Sequence, residues 1–199
     1  AHGHSENVLE TVRAIRKRHD IPLIAGNVAT TEGAADLIEA GVDAVNIPDG
    51  PRASARMGAQ ALAVILEKQV GIETILHYCC RDRNLLGIQS DILGASALGI
   101  RNVLCLSGDH QTFGNHPQAK NVYDIDSMQL IALVKKMRDE AKFLNDEEID
   151  VRPRMFIGAA ANPLADPFEL RVHRMALKIA AGADFIQTQC IYNMDKFRA

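Results

Sequence analysis

The chain of 199 residues has no apolar run approaching the roughly 20 residues that a membrane span requires. Its opening stretch, AHGHSENVLE, has neither the basic nor the apolar region of a secretory leader. Both absences lead to the expectation of a cytoplasmic protein without a membrane partner. Disulfide and metal-finger patterns are missing too. Cys79, Cys80, Cys105 and Cys190 sit in strand-like apolar runs at spacings that suit a reducing compartment, and no metal site is expected. A formal net charge of −3 leaves no electrostatic case for nucleic acid, and the cluster Arg13, Arg16, Lys17, Arg18 reads as one solvated helix face. No Pro/Gly/Ser linker or break in composition divides the chain, so residues 1–199 are read as one domain. Apolar residues make up 47% of the sequence, enough for a globular core.

What is present is one pattern repeated. Short β-branched runs, apolar on both faces, alternate with longer segments of helical period, which is the signature of βαβ units and a parallel sheet. Strands are predicted at Pro22–Gly26, Ala44–Pro48, Thr74–Tyr78, Asn102–Leu106, Met155–Ala159 and Asp184–Thr188. Helices are predicted near Glu6–His19, Thr31–Ala40, Ala53–Val70, Leu85–Leu98, Ser127–Leu144 and Pro167–Ala181. In EAGVDAV, ALGIRNV and AAGADFI a glycine ends the helix and a strand follows at once, as a left-handed C-cap allows. Without a Gly-x-Gly-x-x-Gly turn, this regularity favours a TIM-type (β/α) barrel over a dinucleotide-binding open sheet. A closed barrel of this kind has eight units. Six strands are convincing here, with AHGHS as the tail of another, so the barrel is expected to be incomplete at both ends. Its open edges must then be covered, pair with another copy or a partner subunit, or belong to a longer protein.

Barrel chemistry lies where strands end. The predicted strands are followed by DGPRASAR, CCRDRN, SGDHQTFGNH, AANPLAD and TQCIYN, so five consecutive ends carry Asp, Arg, Asn, His or Gln where a structural loop needs only turn formers. A binding site is expected on this rim.

From about Asn46 onward, NIPDGPRASARM, LHYCCRDRNLLGIQSD, ALGIRNVLCLSGDHQ and GADFIQTQ resemble, in order and spacing, the flavin-dependent methylenetetrahydrofolate reductases, above all the bacterial branch with PDGPRASARM and HYCCRDRN. The first 45 residues resemble instead a barrel segment of inosine-monophosphate dehydrogenase. That family's nucleotide-placing Asn corresponds to Asn27, whereas its catalytic cysteine loop is replaced by NIPDGPRAS. A junction between two barrel sequences is therefore suspected near residues 41–46.

The reductase resemblance implies FAD as cofactor and NAD(P)H and folate as substrates. It implies hydride transfer through the flavin to 5,10-methylenetetrahydrofolate, giving 5-methyltetrahydrofolate. Asp109 matches the essential aspartate of the family's Gly-Asp turn; its carboxylate could bond a pterin edge and tune the flavin, or serve only as an Asx-turn. Gly108 would let the backbone approach a flat ring, with Leu106 and Ser107 beside it. Gln189 is implied as a pterin or nicotinamide contact, against a strand-end amide bonded to backbone, and Gln187 is a weaker candidate on the same face. His77 is implied to contact the flavin nucleotide, although a histidine inside a strand is commonly a hydrogen-bonded core residue. A metal site at His77, Cys79 and Cys80 is disfavoured because adjacent strand residues face opposite ways. Arg81 and Arg83 could meet the pyrophosphate or remain solvated loop charges. Tyr123 and Lys178 match FAD contacts; the plainer readings are a packed rim aromatic and a cation at a helix C-terminus.

The family's first-strand glutamate, the general acid, has no counterpart. Pro22–Gly26 occupies its place, Asn27 ends it, and Glu32 belongs to a helix start capped by Thr30 or Thr31. Two other readings stay open at this point: a nucleotide-binding barrel like the dehydrogenase, and a non-catalytic barrel fragment.

Overall fold

The computed structural model describes residues 6–26, 28 and 30–198. The reading of Asn27 and of AHGHS lies outside the described residues. Helices α1 (Glu6–Arg18), α2 (Thr31–Ala40), α3 (Ala59–Gln69), α4 (Leu85–Leu98), α5 (Ser127–Glu140) and α6 (Phe168–Ala181) alternate with strands β1 (Ile24–Ala25), β2 (Ala44–Ile47), β3 (Glu73–Cys79), β4 (Asn102–Leu106), β5 (Phe156–Ala161) and β6 (Phe185–Thr188). A short helix α7 (Met194–Arg198) follows. The strands form one sheet in sequential order, every neighbouring pair parallel. The sheet curls into a half-barrel, an incomplete TIM-type barrel whose edge strands are β1 and β6.

Strand alternation separates two layers. Val45, Ile47, Leu76, Tyr78, Val103, Cys105, Ile157 and Ala159 point outward into the main core, where they meet Leu37, Leu66, Ile88, Ile92, Leu130 and Val134 of the helices. His77, Cys79, Leu104 and Leu106 point the other way, to the concave face. Near the open edge that face carries a stacked pair, Phe156 and Phe185, with ring centroids 5.2 Å apart. Gly158 makes room for the pair, since a Cβ there would lie 2.2 Å from the Phe185 ring.

Local chemistry explains the boundaries. Gly41, Gly99 and Gly182 end α2, α4 and α6 at φ 100°, 109° and 115°, the left-handed caps read from the sequence. Thr30 caps α2 by accepting from the Gly33 N–H, Asn84 caps α4 from Gly87, and Asp126 with Gln129 forms a capping box on α5.

Three elements fall short of their predicted spans by three residues or more. β1 is only two residues long, because an edge strand with a single neighbour has little ladder to extend. α5 stops at Glu140, where Ala141 turns left-handed at φ 56° and the chain returns through an antiparallel bridge of Lys142 with Glu148. α3 starts at Ala59 and not Ala53, because Arg52 and Ala53 sit at φ 56° and 51° in a loop locked onto the one after β4. That lock outweighs the helical pattern of the sequence. Among the described residues no helix is long and apolar enough to cross a membrane.

Candidate functional site

The carboxyl ends of β2 to β6 surround a cleft of about 540 Å³. Pro48 and Asp49 come from the end of β2, His77 and Cys79 from β3, and Leu106, Ser107, Gly108 and Asp109 from β4. Ala160 comes from β5, and Gln187, Gln189 and Cys190 from β6 and the turn beyond it. Ser127 at the start of α5 and Arg174 and Lys178 on α6 close the rim. A hollow of about 630 Å³ at the opposite end of the strands is lined by Arg101, Arg138, Arg152 and Arg154. There Arg138 is already taken up by Asp139 and Asp184. It gathers no acid, amide and imidazole together, and barrel chemistry belongs to the other end.

Eight of the residues singled out in the sequence therefore share one cleft: His77, Leu106, Ser107, Gly108, Asp109, Lys178, Gln187 and Gln189. Arg81 and Tyr123 do not line it. The Tyr123 hydroxyl donates to the Gly108 carbonyl at 3.4 Å from behind the rim. Arg81 is only 4% exposed, so it is not a solvated loop charge. Its guanidinium is occupied by Asp82, Gly50 and Asp109 of the protein.

Asp109 is exposed, and its Oδ2 accepts the backbone N–H of Arg52 at 2.8 Å. Asn115 Oδ1 accepts the N–H of Ala55 at 3.1 Å, so the loops after β2 and β4 are stitched together. Gly108 is at φ 90°, and a Cβ there would meet Cys79 and Arg81 at 3.1 to 3.3 Å. The glycine thus serves the turn and the packing against β3 as well as any approach to a ring.

His77 Nε2 lies 3.1 Å from Asn46 Oδ1 on the neighbouring strand. Burial pulls its pKa down to about 4 against the opposing charge of Asp49, so the ring is neutral near pH 7. Behind it, Asp49 accepts from the Cys79 N–H at 3.1 Å and from Arg83 at 2.7 Å. Arg83 lies 4.5 Å over the Tyr78 ring and also bonds Asp91, which accepts the Tyr78 hydroxyl at 2.8 Å. Arg83 is thereby tied to Asp49 and Asp91 of the protein. Burial pushes the thiols of Cys79 and Cys80 up to about 12, so both stay protonated.

Lys178 reaches from α6 to the Ala160 carbonyl, and burial together with Arg174 lowers its pKa. An adjoining pocket of about 220 Å³ brings Arg171, Arg174 and Lys178 together with Asn162 and Gln189, and no carboxylate lines it. The Nε of Arg171 is buried without a hydrogen-bond partner. Asp49, Asn46, Arg171 and Arg174 were not singled out from the sequence. For the last two the signal was available: with Lys178 they fall at i, i+3 and i+7, one face of a helix.

The family model for methylenetetrahydrofolate reductase matches residues 27–199. The chain belongs to the methylenetetrahydrofolate reductase family. A shorter similarity points elsewhere, as the first residues suggested. The chain is 66% identical over 53 residues to inosine-5'-monophosphate dehydrogenase of Rhodopirellula baltica, covering 26% of this chain and 10% of that protein. It is 49% identical over 74 residues to the Aquifex aeolicus protein of the same name, covering 34% of this chain and 15% of that one. The chain thus spans only a small part of these curated relatives, and the two similarities together agree with a junction of two barrel sequences. Among solved structures, 2,3-dimethylmalate lyase, a PEP mutase/isocitrate lyase superfamily member, aligns with TM-score 0.59 at 15% identity over 96% of this chain and 65% of that one. Phosphonopyruvate hydrolase aligns with TM-score 0.60 at 14% identity over 96% of this chain and 66% of that one. At such identities the likeness concerns the barrel fold alone.

Proposed function

We propose that the cleft is a flavin site for hydride transfer from NAD(P)H to 5,10-methylenetetrahydrofolate. The observation that carries this reading is the convergence of Asp109, Gln187, Gln189 and neutral His77 on one cleft beside a cationic pocket. FAD fits these residues: the buried, unpartnered Arg171 Nε among three cations is the mark of a phosphate-sized anion site. When bound, FAD supplies the two-electron relay between the two substrates. The chain's own residues do the rest. Lys178, Arg174 and Arg171 hold phosphate oxygens. His77, kept neutral and steadied by Asn46, offers a polar contact to the flavin nucleotide, while Leu106, Ser107 and Gly108 form the wall beside the ring. Tyr123 and Arg81 support that wall from behind.

Asp109 orients the pterin and favours its protonated form, and Gln189 aligns nicotinamide and folate in turn. Among the described residues β1 brings no carboxylate to the cleft, and the acids that line it are Asp49 and Asp109. Asp49 is committed to Arg83 and the Cys79 N–H, which leaves Asp109 as the acid facing substrate. The open edges at β1 and β6 are to be covered by a second copy or a partner subunit, which light scattering would register as a mass above that of one chain. Titration of the purified protein with FAD tests the reading; saturable quenching of flavin fluorescence supports it, and unchanged fluorescence contradicts it. Cys79 and Cys80 are buried and protonated and give the dehydrogenase-like reading no nucleophile.

A further inference from the structure

We infer that Arg81 is a positioning residue, the buried pin that sets the rim loops and through them the carboxylate of Asp109. The inference rests on the flavin–folate reading for its catalytic consequence, though not for the pin itself. Arg81 stands two residues past the end of β3, between the two stitched loops. Its Nε and Nη2 form a fork on Asp82 at 2.8 and 2.6 Å, which fixes the plane of the guanidinium. Its Nη1 then donates to the carbonyl of Asp109 at 3.0 Å and to that of Gly50 at 3.4 Å. The backbone carbonyl of Arg81 accepts the Val122 N–H at 2.8 Å, so the far end of the β4 loop is held as well.

One buried side chain thereby ties the ends of three successive strands. The surroundings are shaped to it. Gly50 is at φ 51°, and a Cβ there would stand 2.7 Å from Arg81 Nη2; one on Gly108 would stand 3.3 Å from Arg81 Cβ. Gly50 gives the guanidinium its space, and Gly108 gives space to the base of the side chain. Lysine could not replace it, because a single ammonium cannot hold the Asp82 fork and reach two carbonyls in one plane. Asp109 has its backbone fixed by Arg81 and its carboxylate by the Arg52 N–H, so its direction depends on the pin at both ends of the loop contact.

The experiment compares wild type, Arg81→Met, Asp82→Asn, Asp109→Asn and the Arg81→Met/Asp109→Asn double variant as complete proteins. Asp82 is 52% exposed in its side chain, so its variant loosens the fork without opening the core. Amide hydrogen exchange should speed up at least about 10-fold at Arg52 and Val122 in Arg81→Met and by less in Asp82→Asn, with β3 and β4 amides within about 2-fold of wild type. Folate reduction by Arg81→Met should fall toward the level of Asp109→Asn, and the double variant should be no slower than Asp109→Asn alone. Unchanged protection at Arg52 and Val122 would overturn the pin. Multiplying losses in the double variant would overturn its action through Asp109. A wild-type protein that neither binds flavin nor reduces folate would overturn the flavin reading and the catalytic consequence together, while the exchange data would still decide whether Arg81 holds the loops.

Discussion

The carboxylate of Asp109 and the backbone N–H of Arg52 meet at 2.8 Å, joining the loop after β4 to the loop after β2 at the lip of the cleft. An asparagine can keep that bond through its amide oxygen while losing the charge. Asp109→Asn should therefore leave FAD affinity within about 3-fold and lower folate turnover on the order of 10²–10³-fold, the usual loss when a charge-stabilising group is removed. Reduction of the flavin by NAD(P)H, timed separately by stopped flow, should suffer much less. Equal losses in both half-reactions would make Asp109 a turn residue only.

His77 predicts a pH dependence of stability. Its folded pKa of about 4 lies below the ordinary 6.5, so between these values the unfolded chain binds the extra proton. The stability from neutral His77 is complete above pH 6.5, declines as pH falls toward 4, and is lost below that. The full difference is on the order of 3 kcal/mol as an upper bound for a half-buried ring. Urea unfolding of wild type and His77→Gln at pH 7, 5.5 and 4.5 checks it: the wild-type curve should fall more steeply with acid.

Gly114 and Gly58 make a matched pair. Gly114 has φ −99°, open to any residue, yet a Cβ there would meet the Ala53 carbonyl oxygen at 1.9 Å. Gly58 has φ −56° and nothing within 4 Å. Gly114→Ala should destabilise the chain by about 1–3 kcal/mol by forcing the loops apart, whereas Gly58→Ala should change it by less than about 1 kcal/mol. Thermal unfolding of the two variants side by side tests the lock between the loops.

Much of this architecture was legible because it depends on local rules. The glycines of EAGVDAV, ALGIRNV and AAGADFI announced their helix ends, and the apolar strand runs announced a parallel sheet. The cleft was legible through the same logic, since Asp109 and Gln189 follow from where strands end, while His77, inside its strand, was singled out only by the family resemblance. The burial of Arg81 was not legible, because burial of a charged side chain depends on loops that approach only in three dimensions. Nothing near it in the chain announces that Gly50 and Asp109 will come to its guanidinium. The late start of α3 is a case of the same kind: the helical pattern from Ala53 is real, but Gly114 and Asp109 of a distant loop hold Arg52 and Ala53 left-handed.

The cysteines give a chemical check. Cys79, Cys80 and Cys105 are buried, and Cys190 at the cleft mouth is exposed. A disulfide reagent at pH 8 should titrate Cys190 rapidly in the native protein and the other three only after unfolding. Rapid reaction of Cys79 would mean that the β3 end is open in solution.

Flavin binding is the claim on which the rest depends. The most direct measurement is FAD fluorescence as the complete protein is added, repeated with Lys178→Ala and Arg174→Ala. The account predicts saturable quenching by wild type and an affinity at least about 10-fold weaker in each variant, since each loses a charge-assisted phosphate contact. No quenching at about 100 μM protein, or quenching unaffected by either substitution, would contradict it.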